Sequence, residues 1–119
     1  MQFVLMIYQG TTPLPNTEAW SSLPKDEQNA IYADYGTLNR TPGLTAGPPL
    51  GLPEDATTVR VDAGGTVTDD GPYVDVKGAV GGFFVLEAED LAAAVEIAAR
   101  VPAARHGGAV EVRPVATYW

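Results

Sequence analysis

The chain has no cysteine, which excludes disulfides and thiolate metal sites and fits a reducing compartment. It has one histidine, His106, so a single side chain titrates near neutrality without perturbation. Basic residues are few: seven Lys and Arg stand against fifteen Asp and Glu, a formal charge of −8. They are also scattered, with only Arg100, Arg105 and Arg113 near one another. Phosphate backbones and anionic membranes are held by clustered Lys and Arg, so neither nucleic acid nor membrane is an expected partner. No apolar run approaches the roughly 20 residues of a membrane span. The apolar run that follows Met1-Gln2 has no basic segment before it, so it does not read as a signal peptide. The expectation is a soluble, cytoplasmic protein. No serine sits in a nucleophile elbow. Gly81-Gly82 lacks the strand-to-helix setting of a phosphate loop, and the carboxylates lack EF-hand spacing. Neither a metal nor a cofactor is expected.

What is present fits one domain covering residues 1–119, long enough to bury roughly two-thirds of its unfolded surface. Phe3-Val4-Leu5-Met6-Ile7-Tyr8 is apolar on both alternating faces and is closed by Gly10, Pro13 and Pro15, the pattern of a buried central strand. A helix follows up to Asn39, with Pro24 at its first position and Ile31, Tyr35 and Leu38 along its stripe. Leu44-Thr45-Ala46 allows a short strand. Thr57 to Val61 and Thr66 to Thr68, joined by Ala63-Gly64-Gly65, read as a hairpin. A second strand apolar on both faces runs from Phe83 to Ala88, opened by Gly81-Gly82, where close backbone approach is expected. Asp90 is an N-cap for a second helix whose expected buried stripe is Leu91, Ala94, Val95, Ala98 and Val101, ended by Pro102. A last strand from Ala109 to Val115 puts Val110 and Val112 on one face and Glu111 and Arg113 on the other, as an edge strand would.

The order of these elements is the α+β pattern of a ferredoxin-like βαββαβ fold with an inserted hairpin and an antiparallel sheet. Two helices cover one face of such a sheet and leave the other, also apolar, open to water. Open apolar faces mark interfaces, so a homodimer with sheets packed face to face is expected, with a cleft between sheet and inserted loops.

Asp70-Gly71-Pro72-Tyr73, Lys77, Gly81-Gly82-Phe83-Phe84, Pro102-Ala103-Ala104-Arg105 and Glu111-Val112-Arg113-Pro114 resemble the YCII-related family. More narrowly they resemble its DGPF branch, named for an Asp-Gly-Pro-Phe tetrapeptide. The resemblance runs from the first strand to Val115. It implies a dimeric α+β barrel and little about activity. Some relatives adjoin or are fused to extracytoplasmic-function sigma factors, which implies a sigma-factor partner. More distant relatives are enzymes, and a His–Asp pair in the cleft has been proposed for the wider family. This chain has Tyr73 in place of the Phe, Val76 and Gly78 around Lys77 where polar residues are usual, and no histidine in the first helix.

Asp70 stands out among candidate catalytic residues. A turn aspartate commonly bonds the backbone N–H two residues on, but here that residue is Pro72, which has none. His106 is its only imidazole partner. Tyr8, Tyr32, Tyr35 and Tyr73 offer ring surface and a hydroxyl for ligand binding, and Arg105 or Arg113 a fork for a carboxylate. The expected function is small-molecule binding or sensing, with an anionic or aromatic metabolite in the cleft. The alternative is a cofactor-independent lyase or isomerase in which Asp70 moves a proton, assisted by His106 or a tyrosine.

Overall fold

The computed structural model describes residues 1–75 and 78–118. Val76 and Lys77, within the stretch that carries the resemblance, and the C-terminal Trp119 lie outside the described residues. In chain order the elements are β1 (Gln2–Tyr8), α1 (Glu18–Ser21), α2 (Lys25–Asn39), β2 (Leu44–Ala46), β3 (Thr57–Asp62), β4 (Gly65–Asp70), β5 (Val80–Glu87), α3 (Leu91–Ala98) and β6 (Ala109–Pro114). Two 3₁₀ turns, Pro53–Asp55 and Pro102–Arg105, precede β3 and β6.

The main sheet runs β2-β5-β1-β6, every pair antiparallel. This is the ferredoxin-like order, with the two strands that are apolar on both faces at its centre. Leu5 lies opposite Phe84 and Val112, and Phe3 opposite Leu86, so one row from each strand meets on a common face. Leu38 of α2 and Ala94 and Ala98 of α3 pack against that row in a single core cluster. Both helices therefore lie on one side of the sheet. Across its thinnest dimension the molecule measures 19 Å, the depth of one sheet and one helix layer. Val4, Met6, Tyr8, Phe83 and Val85 point to the opposite side and stay half-buried under no helix.

β3 and β4 form a separate two-stranded sheet. Its root is fixed where Gly71 N–H donates to Ala56 O at 2.7 Å and Thr58 Oγ1 donates to Gly71 O at 2.7 Å. The hairpin leaves Val59 and Val61 exposed. It also extends the molecule, whose radius of gyration of 16.2 Å exceeds the about 13.5 Å of a compact chain this long.

Some local expectations are corrected. Pro24 is the N-cap of α2, not its first residue. α3 ends at Ala98, ahead of Pro102, which opens a 3₁₀ turn instead. Leu91 and Val95 are exposed. The buried arc of α3 turns the other way, through Ala94, Ala98 and the partly buried Ile97, because the small alanines let the helix settle closest to the sheet along their own line. β5 begins earlier than expected, at Val80, and ends at Glu87. Asp90 does cap α3, its Oδ1 accepting from Ala93 N–H at 2.8 Å. Of the two glycines in β5, only Gly81 is crowded: a Cβ there would stand 2.5 Å from Gln9 Cγ, whereas one at Gly82 would meet Ile7 Cδ1 at an ordinary 3.8 Å.

Candidate functional site: an aromatic cavity on the helix side of the sheet

Three segments with little regular structure gather at the end of β1 and the start of β5. The first is the loop after β1. Glycine lets it lie against the start of β6: a Cβ at Gly108 would stand 2.2 Å from Tyr8 O, and one at Gly10 2.2 Å from Gly107 O. Thr11 N–H donates to Gly107 O at 3.1 Å and Thr12 Oγ1 to His106 O at 3.1 Å. The loop is thus pinned to the 3₁₀ turn before β6.

The second segment is the α1–α2 corner. Thr17 Oγ1 accepts from Trp20 N–H at 3.2 Å, and the Gln28 amide donates to Trp20 O at 2.9 Å and Leu23 O at 3.2 Å. This corner buries Trp20, whose ring meets Tyr32 edge-on with centroids 5.2 Å apart. The third is the Pro48-Pro49 loop after β2, held to β5 where Gly47 N–H donates to Phe83 O at 2.9 Å.

Between these segments, α2 and the sheet lies a cavity of about 680 Å³. Ile7, Gly82 and Phe84 of the sheet face it, with Trp20, Ile31 and Tyr35 from the helices and Leu14 and Leu50 from the loops. Among the described residues, the ionisable groups that line it besides the tyrosines come to one, the Asp55 carboxylate. Burial raises the Tyr35 phenol above its ordinary pKa; the Arg105 guanidinium nearby partly opposes this. Tyr35 therefore stays protonated, a hydrogen-bond donor, throughout the physiological range.

Of the residues singled out in the sequence, this cavity brings in Tyr35 and Tyr32 only. Asp70 ends β4, exposed at the root of the hairpin, with Thr57 as its ladder partner. The acidic side chain engaged there is Asp69, paired with Arg60 at 3.1 Å. His106 is exposed at the end of the 3₁₀ turn and lines no described cavity; its carbonyl holds the lining residue Thr12. Tyr8 lies on the helix-free face, its hydroxyl donating to Glu111 Oε2 at 3.5 Å. Glu111 also pairs with Arg113 of the same strand at 2.9 Å. Tyr73 is exposed beside a second, shallower depression of about 370 Å³. Arg105 is committed to the Asp34 carboxylate and to Arg100 O. Trp20, Phe84 and the proline loops were not legible as site residues, since each alone reads as core or connection.

The YCII-related domain profile matches residues 1–118. The chain belongs to the YCII-related family. It is also 32% identical over 107 residues to an uncharacterized protein of Rhizobium meliloti (strain 1021), a match covering 86% of this chain and 84% of that one. Among the described residues, no helix of this YCII-related protein is long and apolar enough to cross a membrane.

Proposed function

We propose that this single-domain protein is a small-molecule binding or sensing module of the DGPF type, cytoplasmic and homodimeric, whose ligand occupies the Trp20–Tyr35–Phe84 cavity. The observation that carries this reading is the cavity itself. Its volume, about 680 Å³, falls within the roughly 300–1,000 Å³ of ligand pockets, and its apolar walls with a few polar groups are what such pockets have. A proton-transferring lyase or isomerase would need Asp70 and His106, or a tyrosine, around one substrate. Neither Asp70 nor His106 lines either of the two cavities described, so binding is the reading favoured here. Dimerisation is supported by the helix-free row Val4, Met6, Phe83 and Val85. A sigma-factor partner is supported by the family resemblance alone.

The test is a thermal-shift screen of a metabolite panel, because a ligand of the native state raises Tm with concentration. A cavity-filling Leu50→Trp variant should abolish the shift of any hit while keeping its own unliganded transition. A hit whose shift survives Leu50→Trp, or that is turned over by wild type and not by Asp70→Asn, would overturn the proposal.

A further inference from the structure

We propose that the cavity is selective for a flat aromatic ligand that is neutral or carries an amine, and that it rejects carboxylates and phosphates. This rests on the binding reading above and narrows it. It replaces the anionic ligand that the sequence left open.

Charge decides the matter. Among the described residues, no Lys or Arg lines the cavity, and Asp55 is the one charged residue that does. The guanidinium that acts on Tyr35, that of Arg105, is already spent on Asp34 and on the Arg100 carbonyl. An anion entering here would leave water for apolar and proline-rich walls with no counter-charge on any described lining residue, beside a carboxylate, in a protein of net charge −8. An ammonium group meets the opposite situation, since Asp55 has no ion pair of its own among the described residues.

Shape and polarity specify the rest. Trp20, Tyr32, Tyr35 and Phe84 put aromatic surface on several sides, suited to stacking or edge contact with a ring. The Trp20 indole N–H and the Tyr32 and Tyr35 hydroxyls bond to no described residue, yet none is sealed away from solvent. These are donors on lining side chains, held ready for acceptor atoms on a ring system. Gly82 keeps the floor open beneath Ile7, where any side chain larger than a methyl would project.

The experiment uses one ring at three charges: 3-methylindole, tryptamine and indole-3-acetate, titrated calorimetrically into the full chain. Tryptamine should bind at least about ten-fold more tightly than indole-3-acetate, the factor expected of one charge-assisted hydrogen bond. Asp55→Asn should remove about ten-fold of the tryptamine affinity and leave 3-methylindole within about two-fold. Asp55 is exposed, so this variant should fold like wild type. Tightest binding by indole-3-acetate would overturn the ligand class while leaving the binding reading standing. So would silence from all three probes while another panel compound still shifts Tm through the same cavity. Equal affinities untouched by Asp55→Asn would overturn the role of charge. Silence from the probes and the whole panel together would overturn both readings.

Discussion

Gly47 lies under the Phe83 ring so closely that a Cβ on it would stand 2.4 Å from Phe83 Cζ. The same glycine donates its N–H to Phe83 O. The backbone therefore cannot retreat without losing the ladder continuation from β2 to β5, and Gly47 itself lines the cavity, so a shift here moves the cavity wall. Gly47→Ala should destabilise the protein by about 1–3 kcal/mol, the usual cost of overpacking. It should also weaken any cavity ligand. Chemical denaturation checks the first effect and calorimetry the second; a neutral Gly47→Ala would mean that the loop after β2 adapts freely. Gly82→Ala serves as the control, because its methyl would meet only ordinary contact at 3.8 Å.

Leu5 is fully buried between Phe84 and Val112 on the helix-covered face. Leu5→Ala should cost about 2–5 kcal/mol, since both transfer energy and a residual cavity contribute. Its neighbour Val4 faces the other side, half-buried, opposite Val85 and Arg113. Val4→Ala should cost distinctly less in a monomer and approach the cost of Leu5→Ala only where a partner covers that face. Equilibrium unfolding of both variants across protein concentration separates the cases.

The fold was legible because its central strands are apolar on both faces and its boundaries are written in local chemistry. Phe3 to Tyr8, the Asp90 cap and the glycine-turned hairpin each follow from residues close together in sequence. Leu91 and Val95 were misplaced for a tertiary reason: which flank of the alanine line turns inward depends on the sheet beneath. The site was hardly legible at all. Asp70 and His106 attract attention as isolated chemical groups, yet the cavity is made of Ile7, Trp20, Tyr35, Leu50 and Phe84, far apart in sequence and individually unremarkable. Nothing local marks Trp20 as a wall. Its placement needs the Thr17 cap and the Gln28 amide, which become visible only once α1 and α2 meet at their corner.

The raised pKa of Tyr35 gives stability a dependence on alkaline pH. Burial favours the neutral phenol in the folded state, so the folded pKa lies above the unfolded one. As pH rises past about 10, the unfolded chain loses this proton first. The stability owed to Tyr35 is thus complete below the unfolded pKa and falls as pH climbs through the folded one. Tyr35→Phe should flatten this part of the alkaline loss. Arg105→Gln should steepen it, because it removes the positive charge that lowers the Tyr35 pKa. Denaturation midpoints measured from neutral to alkaline pH check both signs, and a Tyr35→Phe profile parallel to wild type would refute the assignment.

The helix-free face gives the last prediction. Met6 lies opposite Phe83, and Val4 opposite Val85, across the two central strands. The four make a continuous apolar row, while Tyr8, Glu111 and Arg113 form a polar margin beside it. A second copy related by a two-fold axis would set row against row and margin against margin, which is what a self-complementary interface requires. The hairpin strengthens the case. A two-stranded ribbon is marginal alone in water, and here it holds Val59 and Val61 out from the body. Val85→Lys would place an ammonium in the middle of the row, where a partner's Val or Met would have to desolvate it. It should convert dimer to monomer in sedimentation at micromolar concentration while the helix-covered core, and with it the far-UV spectrum, stays intact. A wild-type protein that sediments as a monomer at that concentration would remove the dimer, and with it the reason for keeping this face apolar.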